Sequence, residues 1–212
     1  VEELTVCAWR WGEKYGPHYV ERVAAGLHRH LATPFSFRVF TPDPADVALT
    51  EVPGCFARLR MFDPAWQIAN GVRGRLVCLD LDLVVAGALD GLFDRPEPFV
   101  ILQGVNASNP CPFNGSVMML RTGYRPDVWS DFSLGAARKV PFDSFPDDQA
   151  WLAHKLPDAG AFTDADGVYA FQKRGWPRGE ALPRNARIVA FPGWRDPAGF
   201  THLDWVKEHW RA

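Results

Sequence analysis

Alternation of strand-like and helix-like segments predicts an α/β protein built on a Rossmann-like, mostly parallel central sheet flanked by helices. Three observations carry this. Residues 4–9 form an apolar opening run, and an amphipathic helical pattern follows it. Phe35, Phe37 and Val39 then alternate with Ser36 and Arg38, as in a second strand. Finally, residues 76–85 are apolar on both faces, as in a strand buried within a parallel sheet.

The elements follow in order. Pro17 suits the first turn of a helix, and Val20, Val23, Ala24, Leu27 and Leu31 recur on one face of it. Residues 41–54 hold three prolines and little periodicity, so they read as loop. A short helix is expected at 57–62, and strands at 99–102 and 115–120, the latter entered through a turn at Phe113-Asn114-Gly115. Helices are expected at 127–137 and 147–156, the second opening on two acids that suit a helix N-terminus. A late strand at 187–191 and a closing helix at 202–210 complete the reading, with Trp205 and Trp210 packing that helix down.

One domain spanning 1–212 is the expectation from length. A net charge of -2 without a basic block argues against a nucleic-acid partner. Apolar runs are broken by charges well short of transmembrane length. The opening Val1-Glu2-Glu3-Leu4 shows no signal-peptide pattern. Cys7, Cys55, Cys78 and Cys111 are widely spaced and read as reduced, buried side chains. The expected location is therefore cytoplasmic, with peripheral membrane contact as its variant. Asn106-Ala107-Ser108 and Asn114-Gly115-Ser116 match a glycosylation pattern by coincidence in that setting. The six histidines show no ligand spacing.

The chemistry concentrates in Leu79-Asp80-Leu81-Asp82-Leu83. Burying a carboxylate without a partner is costly, so a divalent cation is the simplest partner for this pair. Residues i and i+2 of an extended chain point the same way, which lets Asp80 and Asp82 share a ligand. Open α/β sheets place ligands beyond the carboxyl ends of their strands, where the pair would lie. Three further segments join it. Trp9-Arg10-Trp11-Gly12-Glu13-Lys14-Tyr15 offers aromatic and basic groups after the first strand. Asn114-Gly115-Ser116 lets a ligand approach the backbone beside an amide. Asp147-Asp148-Gln149 opens a helix with acids that either cap it or face a ligand.

Together, in this order, the four segments resemble the GT-A glycosyltransferases, specifically bacterial relatives of the family 8 group that includes glycogenin and the lipopolysaccharide galactosyltransferases. The resemblance covers most of the chain. It implies a GT-A fold and transfer of a sugar from a nucleotide-diphosphate donor, favouring uridine, to an acceptor that is a glycan, lipid or small molecule. It places Trp9, Arg10, Trp11 and Tyr15 near the nucleotide, with Arg58 or Arg60 approaching it. It gives Asp80 and Asp82 to Mn²⁺ or Mg²⁺, Asn114 and Ser116 to the sugar or acceptor pocket, and Asp148 and Gln149 to the transferred sugar. The late segment departs from the pattern. Ala190 and Pro192 stand at the positions expected for a metal-binding histidine, and Asp196 where a diphosphate-binding lysine is expected. Arg195 is the nearby positive charge.

Two other readings compete. A strand ending in Asp-x-Asp also opens the haloacid-dehalogenase-type phosphatases, with Asp147-Asp148 as the later acidic pair. Alternatively, the altered late segment marks a non-catalytic nucleotide-sugar-binding module.

Overall fold

The computed structural model describes residues 2–42, 54–105, 110–142 and 147–212. The expected loop over 41–54 lies mostly outside these residues, as do Val1, Asn106-Ala107-Ser108 and Pro146. The chain opens with β1 (Leu4–Trp9), α1 (Pro17–His30) and β2 (Ser36–Phe40). A 3-10 helix over Gly54–Phe62 and α2 (Pro64–Ala69) lead to β3 (Arg75–Leu79) and β4 (Leu83–Val85). Next come β5 (Phe99–Gln103), β6 (Phe113–Arg121), α3 (Asp127–Ser130), α4 (Leu134–Ala137) and α5 (Asp148–Lys155). The last elements are β7 (Gly160–Phe162), β8 (Val168–Ala170), β9 (Ile188–Ala190) and α6 (Asp204–His209).

The larger sheet has the order β2-β1-β3-β6-β5-β7. β1 pairs in parallel with β2 and β3, and β5 in parallel with β7, whereas β6 runs against both its neighbours. Every strand but β6 therefore points the same way, and the mostly parallel sheet expected from the sequence is present. Both faces are covered. Val77 and Leu79 pack into one apolar cluster with Val23 and Leu27 of α1, and Leu76 and Cys78 into another with Phe56, Leu59 and Leu152. That double covering removes the apolar-polar alternation a half-exposed strand would show.

Four expectations need correction. The run 76–85 is not one strand. It breaks at Asp80-Leu81-Asp82, and β4 joins a second sheet of order β4-β9-β8. Burial alone cannot signal this, because residues on both sides of the break are equally buried. Asn114 and Gly115 are not a turn before β6 but part of it, and the β5–β6 pairing absorbs an irregularity between Ile101 and Leu102. The helix expected over 127–137 is two short helices: α3 ends at Ser130, and Ser133, in extended conformation, starts α4 as its cap, accepting from the Ala136 amide at 3.1 Å. The segment at 57–62 belongs to a 3-10 helix rather than an α-helix.

The small sheet is held down by aromatics. Phe171 meets Phe191, Phe200 and Trp176 at ring separations of 4.9, 4.9 and 5.0 Å. Trp205 joins them, and Trp210 packs edge-on to Tyr19 of α1 at 5.3 Å, so both late tryptophans anchor the C-terminal helix as expected. Close packing of α1 on β4 is eased by Gly26, since a Cβ there would sit 3.0 Å from the Val85 Cβ and Val85 would have to give way.

Candidate active site

The C-terminal ends of the parallel strands form one rim of the large sheet, the usual ligand side of an open α/β sheet. Asp80 leaves β3 at this rim, and its amide donates to the Ser116 carbonyl at 2.9 Å. Because β6 runs the other way, its first residues, Asn114 to Ser116, lie at the same rim. The N-terminus of α5 brings Asp147, Asp148 and Gln149 against them.

Arg58 joins these pieces. Its side chain is buried, and its guanidinium donates to Asp148, to Asp80 Oδ1 at 2.8 Å and to the Gly115 carbonyl at 2.9 Å. Gly115 has to lack a side chain, because a Cβ there would lie 2.3 Å from an Arg58 terminal nitrogen. Desolvation opposes the Arg58 charge, but Asp148 and Asp80 outweigh it and hold its pKa above the ordinary arginine value. Asp148 is 1% exposed. Burial pushes its carboxyl upward while Arg58 pulls it back down. A guanidinium that keeps its proton would be an unpaired buried charge if Asp148 were neutral, so the pair persists as an ion pair. Gln149 accepts from the Gly115 amide through Oε1 at 2.9 Å and donates to Asp147 at 2.9 Å. Asp147 caps α5 by accepting from Ala150 at 2.7 Å. The Asn114 side chain accepts from the Ser116 amide at 3.1 Å, and Ser116 is buried.

The other carboxylate has different partners. The Tyr15 hydroxyl donates to Asp82 Oδ2 at 2.5 Å, and Lys14 Nζ lies 3.7 Å from the same oxygen. Burial, and then the neighbouring Asp80 charge, push the Asp82 carboxyl up to about 6. Arg10 folds the loop that delivers Tyr15 by donating to the Tyr15 carbonyl at 2.9 Å. Trp11 lies against Gly54, where a Cβ would be 2.3 Å from its Cδ1, and so braces the start of the 3-10 helix that carries Arg58. Trp9 is turned into the interior, stacked on Trp66 at 5.6 Å and tilted against Phe40 at 5.4 Å.

The late segment meets the acidic pair through the Phe191 amide, which donates to the Asp82 carbonyl at 2.9 Å. Ala190 is fully buried and pairs with Leu83. Asp196 accepts the Tyr19 hydroxyl through both oxygens at 2.9 Å and caps the following turn through the Ala198 amide. Arg195 lies 4.9 Å over the ring of Trp194, which is 81% exposed. The buried Arg195 Nε has no hydrogen-bond partner among the described residues. The segments singled out in the sequence contain most of the cluster, Lys14 and Gly115 included, but Lys14 pairing with Asp82, Gly115 making room for Arg58 and Arg58 itself as a buried strut between acids were not foreseen. The signal for Arg58 was present only as one of two arginines, with Arg60, in the apolar segment Phe56 to Phe62.

Among the described residues no group of three or more His, Cys, Asp and Glu side chains is arranged to hold a metal. Two carboxylates do fit a hard cation that draws its other ligands from phosphate and water. Burial and mutual repulsion at Asp82 are what such a cation would relieve.

Neither a scan of protein-family models nor a search of curated proteins gives a match. Solved structures do. The glycosyltransferase GlyE of Streptococcus pneumoniae superimposes with a TM-score of 0.62 at 16% identity over 98% of this chain. A glycosyltransferase involved in glycosylation of the major capsid of PBCV-1 gives 0.60 at 14% identity, covering 90% of this chain and 94% of the other. An active-site mutant of LgtC gives 0.57 at 12% identity, covering 92% and 89%. The chain has the GT-A glycosyltransferase fold. It spans 63% of the GlyE chain. At these identities the likeness establishes architecture, and the chemistry rests on the side chains.

Proposed function

We propose that the protein is a glycosyltransferase acting as one domain, taking a sugar from a nucleotide-diphosphate donor, with UDP as the expected nucleotide. The observation that carries this is the meeting of Asp80, Gly115, Asp148 and Gln149 around Arg58 at the carboxyl rim of the sheet. LgtC, one of the structures it resembles, has been studied as an active-site mutant in which glutamine is replaced by glutamate. Gln149 is the candidate for an equivalent role here.

Asp80 and Asp82 would hold Mn²⁺ or Mg²⁺, which when bound supplies positive charge against the departing diphosphate. The chain's own groups do the rest. Arg58 fixes Asp80 and Asp148 in one constellation, so no reorganisation is needed when the sugar gains positive character. Asp148, buried against Arg58, is the candidate for negative charge behind that sugar through its field rather than by contact, and the Gln149 amide, clamped by Gly115 and Asp147, is the candidate for a fixed dipole beside it. Tyr15 and Lys14 hold Asp82 and cover the nucleotide side. Arg195 is the free charge nearest in sequence to the missing late lysine and is assigned to the diphosphate. The four free thiols support a reading in which the protein works in a reducing, cytoplasmic compartment. No helix among the described residues is long and apolar enough to cross a membrane.

A second reading has a specific observation behind it. Ala190 and the engaged Asp196 leave the late segment without a metal ligand, which suits a binding module lacking turnover. The phosphatase reading has none. Asp147 is committed to capping α5 and Asp148 to Arg58, so no second acidic pair is free.

The test is donor hydrolysis. UDP-glucose and UDP-galactose are incubated with the protein and Mn²⁺, and free UDP is measured. Release that stops on adding a chelator supports the transferase. UDP binding without release from any UDP-sugar, with or without sugar acceptors, favours the binding module instead.

A further inference from the structure

A second cavity, of about 380 Å³, opens between the carboxyl ends of β5 and β7 and the small sheet. It is lined by Leu102 and Val168 on the apolar side and by Gln103, Asp164 and Arg174 on the polar side. In the strand ladder Leu102 stands opposite Asn114, and Asn114 lies one residue from Gly115 of the candidate active site. Leu102, at the near wall of the cavity, is therefore on the second strand from β3, about 10 Å across the sheet from the strand that Asp80 follows.

Its polar groups are uncommitted in a particular way. The Arg174 side chain has no ion pair or hydrogen bond among the described residues. Gln103 donates from Nε2 to the Ala159 and Gly160 carbonyls at 3.1 and 3.2 Å, which leaves Oε1 as an acceptor. Asp164 accepts the Ala165 amide with Oδ1 and keeps Oδ2 on the side of Gly175, where a Cβ would come within 2.8 Å of it. An apolar wall, two acceptors and one bare guanidinium match a hydroxylated ring carrying an anionic group.

We propose that this cavity binds the acceptor, and that the acceptor is a sugar bearing a carboxylate or phosphate that Arg174 pairs with. The assignment rests on the transferase reading and deepens it. Hydroxyls of the ring donate to Gln103 and Asp164, its apolar face lies on Leu102 and Val168, and its reactive hydroxyl points along the rim toward Gly115.

The test titrates glucose, glucuronate, glucose 6-phosphate and inorganic phosphate into the amide-labelled protein, following the Gly104, Ala161 and Gly175 resonances. Glucuronate or glucose 6-phosphate should shift these signals at concentrations about tenfold or more below those glucose requires. Arg174→Ala should weaken that binding about ten- to a hundredfold, and Arg174→Lys by less. A response to glucuronate alone assigns a carboxylate, and one to the phosphate ester alone assigns a phosphate. Equal shifts from glucose, equal shifts from inorganic phosphate, or binding indifferent to Arg174→Ala would each overturn the proposal. UDP with Mn²⁺ is titrated separately. Failure there removes the donor reading while leaving the sugar titration to judge the cavity.

Discussion

Arg58 is the residue on which the site's geometry depends most, and it is replaced at high cost. Arg58→Met would leave Asp148 as an uncompensated buried charge and should destabilise the protein by about 3–5 kcal/mol in urea unfolding. Gly115→Ala tests the same strut from its other end. The added methyl collides with the guanidinium, so a loss of about 1–3 kcal/mol and weaker UDP binding are expected, read by thermal melting and calorimetry. Asp82 works in the opposite sense. Its carboxyl is raised to about 6 in the fold, above its value in an unfolded chain, so the penalty is absent below about pH 4, grows between about pH 4 and 6 and is complete above that. Asp82→Asn should therefore raise stability by about 1–2 kcal/mol at pH 7.5 and leave it unchanged at pH 4, while Mn²⁺-dependent UDP binding is lost. A melting curve that falls at pH 7.5 would contradict this. In the sequence, two acids in an apolar run drew attention to Asp80 and Asp82, and the fold brings them to the carboxyl rim of the sheet beside Arg58 and Tyr15. Which partner each acid takes was not legible, since Tyr15 and Arg58 reach them from 67 and 22 residues away in the chain.

Elements with strong local codes were the readable ones. The stripe on α1 and its leading Pro17 gave that helix to within a residue, and Asp147 capping with acids in the first turn gave α5. The break between β3 and β4 was not readable, because a strand leaving one covered sheet for another keeps the same apolar pattern. Strands of three residues, such as β7 and β8, carry too few positions for periodicity to register. One element contact makes a pH prediction. Asp127 of α3 receives Arg125 at 2.7 Å and Lys155 of α5 at 2.9 Å, and the Arg125 hydrogen bonds hold its carboxyl below the usual range. Its contribution exists above the unfolded pKa and disappears as pH falls through the lowered folded one. These groups are about one-third exposed, so solvent screening reduces the effect. Asp127→Asn should cost about 0.5–1 kcal/mol at pH 7, and the gap between variant and parent should close toward pH 2. Equal gaps at both pH values would count against the clamp.

Across the whole molecule, the site sits where the chain passes from the large sheet to the small one. Asp80-Leu81-Asp82 is that crossing, and the small sheet is pinned behind it by Phe171 and its aromatic neighbours. Phe171→Ala should cost about 3–5 kcal/mol and lower UDP affinity as well, because β4 and β9 fix the residues that follow Asp82. The ordered motifs along the sequence were enough to place the GT-A architecture, because each lies at the same rim of the sheet. The β5–β7 cavity was not foreseen, because its residues come from four separate elements with no shared motif. The central claim is that Asp80 and Asp82 hold a divalent cation against a nucleotide diphosphate. A crystal soaked with UDP and Mn²⁺, recorded at the manganese absorption edge, tests it most directly. An anomalous peak touching both carboxylates and the diphosphate is predicted; UDP bound in the cleft with no manganese at these two side chains would contradict it.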